Sequence, residues 1–170
     1  YSSGILDNRT TNKENALTRN HSANLNYEIK TDSLGSKLSA NISFLKYERK
    51  MNSTNESAPA GGGIPSIFHQ SVPQYIDNLG ALLDYVHKTK GKTTWMFGGS
   101  YNNTKTDNDT NQDMISENGY VNNEARSNHF VYEENIIGLY ATVELTMNEK
   151  FSTKVGTRVE NTNSEGRVLD

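Results

Sequence analysis

The chain has 170 residues, 33% of them apolar, a net charge of −3 and no cysteine. This length allows one domain with a core of its own. The negative charge argues against a nucleic-acid-binding protein, the absence of cysteine excludes disulfides and thiolate metal sites, and no apolar run reaches the ~18 residues of a transmembrane helix.

The N-terminal part of the chain, residues 1–19, is polar and irregular. This pattern predicts an arm or the stub of a preceding loop. The sequence starts with Tyr1 rather than Met, and no signal peptide is visible. We therefore expect the chain to be an excised piece of a longer precursor.

Clean alternation of apolar and polar residues begins at position 21 and predicts a first strand over residues 21–30. A turn over 31–35 leads to a second strand that starts near Leu38. The apolar phase of this strand slips at Leu45 and Tyr47. The slip indicates either a β-bulge or the point where the strand leaves a membrane.

The middle of the chain alternates loops and strands. Residues 50–73 contain all three prolines and a run of three glycines, which predicts a long loop. A third strand is predicted over 75–88 and a fourth from residue 93, joined by a tight turn at Gly91. A second long polar loop is predicted over 103–127.

The strongest pattern lies between residues 128 and 166, where two alternating segments flank a short turn at 147–150. Because successive side chains of a strand point to opposite sides, these segments predict a long hairpin with one apolar and one ionic face. The ionic face holds the polar residues that we single out: Glu134, Glu144, Lys154, Arg158 and Glu160. A hairpin of this kind suits a wall between lipid and an aqueous lumen.

Short turns and long loops alternate strictly along the chain. The short turns therefore lie at one end of the predicted strands and the long loops at the other end. Transmembrane barrels have short periplasmic turns and longer extracellular loops, so this asymmetry favours a barrel. The aromatic residues near the strand ends have two interpretations of equal weight. They form interfacial girdles, or they reflect the ordinary enrichment of aromatics in strands.

The predicted fold is therefore all-β, an antiparallel up-and-down meander of about six long strands that forms a segment of a transmembrane β-barrel. The segment covers residues 20–166 and includes the two long loops. Residues 167–170 are predicted to be a tail.

Aromatic, acidic, amide and small residues recur at fixed positions of the last hairpin: Phe130, Tyr132, Glu134, Asn135, Ile136, Gly138, Tyr140, Gly156, Arg158, Glu160 and Thr162. With these residues the hairpin resembles the barrel region of TonB-dependent outer-membrane receptors and, more closely, the outer membrane β-barrel family of Gram-negative bacteria. Gly138 stands where that family more often has Ala. A weaker resemblance covers residues 76–102.

This resemblance implies an outer-membrane protein that takes part in the import of a large, unidentified solute. It also implies a plug domain and TonB as partners, although neither a plug signature nor a TonB box is visible in this chain. Outer-membrane lipid and the remaining barrel strands would be further partners. An isolated fragment would expose strand edges and an apolar face, so we expect it to self-associate.

Candidate chemistry elsewhere is weak, and we predict neither an enzyme nor a cofactor or metal site. The acidic and amide residues over 107–113 have the spacing of a calcium loop, but Gln112 and Asn118 stand where an EF-hand has Gly and Glu. A solvated acidic loop is the simpler interpretation. The ionic face of the last hairpin is predicted to be a structural ladder lining the lumen, rather than a set of direct contacts to a solute.

Two other architectures remain open from the sequence. The first is a self-contained soluble β-sandwich that binds a carbohydrate or protein ligand through its long loops. The second is a small closed barrel with a purely structural role.

Overall fold

Antiparallel strands make up almost all of the described chain. The computed structural model describes residues 8–116, 119–148 and 150–169. The strands are β1 (Asn8–Lys30), β2 (Lys37–Pro59), β3 (Ser66–Lys88), β4 (Thr93–Ser116), β5 (Gly119–Asn122), β6 (Asn128–Asn148) and β7 (Phe151–Leu169). They form one sheet in the order β1-β2-β3-β4-β6-β7, with the short β5 paired to β4. The predicted all-β antiparallel meander is thus confirmed, with one short strand more than expected.

The described residues contain no helix that is long and apolar enough to cross a membrane.

The turn between β1 and β2 is closed by a side chain. Oδ1 of Asp32 accepts hydrogen bonds from the backbone N–H groups of Leu34 at 2.8 Å and Ser36 at 2.9 Å. Hydrogen bonding by Ser36 lowers the pKa of this carboxyl group below its usual value. Gly35 has a φ of 88°, which a residue with a Cβ rarely adopts. These features fix the short loop that the sequence predicted.

This turn also contacts its neighbour in the sheet. Ser36 is fully buried, and its Oγ accepts a hydrogen bond of 2.8 Å from the backbone N–H of Lys88, at the end of β3. The β1–β2 and β3–β4 turns are therefore joined at one end of the sheet.

The strands are much longer than the sequence predicted. The predicted arm over 1–19 is strand from Asn8 onward, and residues 1–7 lie outside the described part. The loop predicted over 50–73 is strand up to Pro59 and again from Ser66. Most of the loop predicted over 103–127 belongs to β4 and β5, and the predicted tail is strand up to Leu169, with Asp170 outside the described part.

The physical reason is that neither side of these extensions carries a continuous apolar row. A strand that is solvated on both faces shows no apolar alternation, so the pattern that reveals a strand is missing although the ladder of backbone hydrogen bonds continues. The prolines sit where a ladder tolerates them. Pro59 ends β2, and Pro73 lies at a gap in the pairing of β3 with β4.

The slip of apolar phase in β2 is not a bulge. Leu45 and Tyr47 lie in continuous register with both neighbouring strands. What changes at this point is the chemistry of the two faces, which fits the other interpretation, that the strand leaves an apolar environment here.

The sheet has no second layer in the described part of the chain. Val131, with 7% exposure, is the one buried apolar residue there, whereas Leu139 is 64% exposed. β1 and β7 each pair with a single neighbour, so the sheet stays open at both edges. The described residues therefore form neither the soluble sandwich nor the small closed barrel considered above.

Candidate functional site

One face of the sheet carries a continuous apolar band. We call the side of the sheet that bears this band the apolar face and the other side the polar face. These names apply along the full length of every strand, including the parts beyond the band. Cross-strand partners share a face, so the register places one row of side chains, Tyr27, Ala40, Leu83, Leu139 and Val159, across the middle of the band. Most of these side chains are exposed, as is typical of a surface that contacts lipid.

The height of the band matches a membrane. On β6 the apolar positions run from Ile137 to Leu145, roughly 26 Å along the strand and roughly 20 Å after a tilt of about 40°. The apolar exterior of outer-membrane barrels is about 25 Å tall. The strands are far longer than this, so each continues beyond the band as an extension.

Aromatic rings mark the border of the band near the short turns. Trp95 and Phe97 stack with their centroids 6.3 Å apart, and Tyr85 and His87 stack at 6.1 Å. Because Tyr85 pairs with Phe97 and His87 with Trp95, the four rings form one cluster on the apolar face. This geometry favours the girdle interpretation of these aromatics.

Asparagines and a tyrosine mark the opposite border. The Tyr101 hydroxyl donates to Oδ1 of Asn135 at 3.1 Å, and Nδ2 of Asn103 donates to the same atom at 2.8 Å. The Tyr101 ring thus lies against the band with its polar end directed away from it. Phe130 does not belong to this girdle, because it lies on the polar face opposite Val168.

A polar cluster crosses the opposite face at the level of the band. Tyr140 on β6 reaches over Gly98 on β4 and donates a hydrogen bond to Oδ1 of Asp84 on β3. A Cβ at position 98 would overlap the Tyr140 ring and lie 2.5 Å from that carboxyl oxygen. Gly98 therefore provides the space that the ring occupies.

Arg158 extends this cluster onto β7. It is the cross-strand partner of Tyr140, and its Nη2 donates to Oε2 of Glu160 at 2.6 Å. A Cβ at Gly138 would lie 3.0 Å from the same nitrogen. Both charged groups are about half exposed, so the pair contributes at most about 1 kcal/mol to stability.

The five polar residues predicted from the sequence share the polar face but do not form one cluster. Arg158 and Glu160 are in direct contact. Glu144 and Lys154 are cross-strand partners near the turn. Glu134 lies near the other border of the band, where its Oε2 accepts a hydrogen bond from Tyr132 at 2.9 Å.

Sequence reasoning missed the contact between Asp84 and Tyr140. These residues are far apart in the chain and are joined through β4. The available signal was the Gly98-Gly99 pair, because a glycine inside a strand often marks the close approach of another group.

Beyond the band, the charged side chains lie mainly on the apolar face, and the polar face carries few of them. Among the described residues of the extensions, the polar face carries one ion pair, Arg49 with Glu14 at 3.8 Å, together with amides, hydroxyls, apolar and aromatic side chains. The apolar face becomes densely charged there. Its charged residues include Arg19, Lys46, Glu48, Lys50, Asp77, Lys105, Asp107, Asp109, Glu133, Glu165 and Arg167.

The residues with calcium-loop spacing lie on this charged surface. Asp107, Asp109, Asn111 and Asp113 are alternate positions of β4. Alternate side chains of an extended strand stand roughly 7 Å apart and do not curl around a common centre. Asp107 instead accepts a hydrogen bond from Nε2 of His129 at 2.8 Å, so the geometry does not support a calcium loop.

The sequence over residues 29–170 matches the outer membrane protein beta-barrel family. The chain belongs to this family. It is accordingly an outer-membrane β-barrel protein, and the resemblance noted from its last hairpin is confirmed.

Comparison with curated proteins finds no match. Among solved structures that match is the crystal structure of the ferric citrate transporter FecA in its unliganded form, with 9% sequence identity and a TM-score of 0.39. The match covers 78% of this chain and 21% of that protein, so the chain spans about a fifth of its length.

As an outer-membrane β-barrel protein, the chain presents its apolar band to the lipid. The aromatic cluster at Trp95 and the Tyr101–Asn135 border then lie at the two membrane interfaces, where amphipathic rings are favoured.

Proposed function

We propose that this chain is one section of the wall of a larger barrel that takes up a large solute by TonB-dependent import, without catalysing a reaction. One observation carries the proposal. The same strands have, on one face, an apolar band about as tall as the membrane interior and, on the other face, a hydrophilic surface. Such a wall separates lipid from an aqueous lumen. The polar row around Tyr140 and Arg158 then lines the lumen as a structural ladder.

The open edges support the idea of a larger barrel. β1 and β7 have unpaired backbone groups along their outer sides, and a membrane barrel must satisfy all of these by closing. Receptor barrels that hold a plug have about 22 strands. We therefore propose the remaining barrel strands, a plug domain and TonB as partners, and self-association of the chain when it is isolated.

The extensions supply a surface for the solute. Their polar face continues the lumen wall upward, and its one ion pair among the described residues is Arg49–Glu14. Hydroxyl, amide and aromatic groups remain there, including Tyr132 and Gln74. This surface suits hydrogen bonding to a solute at the cell exterior before import.

The orientation is tested by cysteine labelling, for which this cysteine-free chain gives a clean background. Ala60→Cys at the β2–β3 loop and Asp109→Cys on the β4 extension should react with a membrane-impermeant maleimide on whole cells. Lys90→Cys, in the β3–β4 turn, should react only after the outer membrane is permeabilised. The reverse pattern would invert the proposed topology.

TonB dependence is tested with the complete protein purified in detergent. It should bind the purified periplasmic domain of TonB, and in planar bilayers it should show little steady conductance because a plug fills the lumen. A large ohmic conductance without TonB binding would identify an open pore instead and would overturn the import proposal.

A further inference from the structure

The charges on the apolar face of the extensions are sorted by strand. Side-chain alternation places three cations and no carboxylate of β1 on this face: Arg9, Lys13 and Arg19. On β4 the same face carries three carboxylates and one lysine: Asp107, Asp109, Asp113 and Lys105. This surface therefore has a positive side along β1 and a negative side along β4, with β2 and β3 between them.

The register sets these opposite charges at matching levels. One row of cross-strand partners runs from Arg19 on β1 to Asp107 on β4, and another runs from Lys13 to Asp113. The two ends of a row are three strand spacings apart, roughly 14 Å. Neither Lys13 nor Asp113 forms an ion pair within the part of the chain that the structure describes. Opposite charges thus lie at equal distances on the two sides of a line between β2 and β3.

The two inner strands repeat this arrangement. Lys46 on β2 is the cross-strand partner of Asp77 on β3, and neither forms an ion pair with another described residue. The same row contains the one exception among the described rows, His21 on β1 and Lys105 on β4, which repel each other only when His21 is protonated. The surface is therefore largely complementary in charge to itself across the line between β2 and β3.

The apolar band repeats the pattern in side-chain size. Across the same line, Ala40 is the partner of Leu83 and Ile42 is the partner of Ala81. The small residues Ala40, Ala81 and Gly99 leave a hollow of about 410 Å³ in the lipid-facing surface. Lipid chains cover this hollow in a single copy. Small residues also let the backbones of two membrane proteins approach closely.

A two-fold rotation about this line brings each group to its complement. All copies insert into the membrane in the same direction, so the two-fold axis of a symmetric dimer runs along the membrane normal. The rotation places β1 of one copy against β4 of the other, and β2 against β3. Lys13 then faces Asp113 of the partner subunit, and Leu83 faces the hollow beside Ala40 of the partner subunit.

The surface is large enough for a stable contact. β1, β2 and β3 have 23 residues each, and β4 has 24. Four strands of this length present a strip roughly 14 Å wide and roughly 75 Å long, which is roughly 1,000 Å². Specific interfaces between proteins bury about 800 Å² on each partner.

We propose that the complete barrel protein forms a two-fold symmetric dimer in the outer membrane through the outer surface of β1 to β4. The occupant of this surface is a second copy of the chain. The contact uses the side of the sheet that faces away from the lumen, so it depends neither on the imported solute nor on TonB.

Cysteine cross-linking in outer membranes tests the geometry, with two differently tagged copies of the complete protein. A copy with Lys13→Cys and a copy with Asp113→Cys should form a disulfide-linked heterodimer on mild oxidation, because β1 meets β4. Two copies that both carry Lys13→Cys should not, because these positions are roughly 14 Å apart in the dimer and a disulfide spans at most about 7 Å between Cα atoms. Cross-linking of the like pair alone, or a monomeric wild-type protein in native mass spectrometry, would overturn the proposal.

Charge reversal tests the complementarity. Lys13→Glu should weaken dimerisation roughly tenfold, because each dimer contains two such pairs and an exposed ion pair is worth up to about a factor of five. Asp113→Lys should have the same effect. The two changes combined in one chain should restore wild-type dimerisation in native mass spectrometry, which a folding defect would not do.

The matched control is Asn12→Glu, which adds a negative charge to the adjacent residue on the polar face and should leave dimerisation unchanged. An equal loss in this control would contradict the proposed surface. Failure of the combined variant to recover the dimer would contradict the pairing of β1 with β4.

Discussion

Leu83→Arg should destabilise the membrane-inserted barrel by about 2–4 kcal/mol, the cost of a cationic side chain facing lipid near the midplane. Leu83 lies in the central row of the apolar band, with its neighbours Ala40 and Gly99, and is 52% exposed. In the barrel that exposed surface meets hydrocarbon, where a guanidinium group has no hydrogen-bonding partner.

Leu82 provides a matched control on the same strand. It is 40% exposed on the polar face, where its partners are Asn41 and Ser100. Leu82→Arg should change stability by less than about 1 kcal/mol, because the lumen is hydrated. Urea titrations of the complete protein in lipid vesicles measure both changes. Equal costs at positions 82 and 83 would contradict the assignment of lipid to the apolar face.

The same asymmetry explains which parts of the fold were predictable. Within the band, Leu139 and Val155 alternate with Tyr140 and Gly156, so the strands and their faces follow from a period of two. On the extensions neither face carries a continuous apolar row, and Asn108 and Asp109, on opposite faces of β4, are both polar. Strand structure there comes from pairing with β3 and β6, which a local sequence pattern does not contain.

The contacts of the polar face were predictable only within a hairpin. Arg158 and Glu160 are two residues apart on one strand, so their shared side follows from parity. The hydrogen bond between Tyr140 and Asp84 crosses β4 and depends on the register of three strands. That register is set by the whole ladder and not by either residue.

Gly98→Ala should destabilise the barrel by about 1–3 kcal/mol, the usual range for inserting a group into a filled site. The added methyl group would overlap the Tyr140 ring and crowd Oδ1 of Asp84 at 2.5 Å. The ring must then swing away and lose its hydrogen bond. The loss should appear as a lower urea midpoint in the same vesicle assay.

Gly99→Ala is the matched control, because Gly99 is the adjacent residue and lies on the opposite face. This variant measures the general preference of strands for residues other than glycine, without the contact to the Tyr140 ring. A Cβ there would lie 3.1 Å from Cδ2 of Leu139, a side chain that can turn into the lipid. Gly99→Ala should therefore be neutral or stabilise by up to about 1 kcal/mol.

A double-mutant cycle with Tyr140→Ser identifies the cause of the Gly98→Ala effect. Once the ring is removed, Gly98→Ala should cost little, which gives a coupling of about 1–3 kcal/mol between the two positions. Additive effects would mean that Gly98 is required by the backbone and not by the ring. In that case the backbone hydrogen bonds between the strands alone would hold the row from Asp84 to Arg158 in place. The Tyr140 side chain would then be free to move into the lumen.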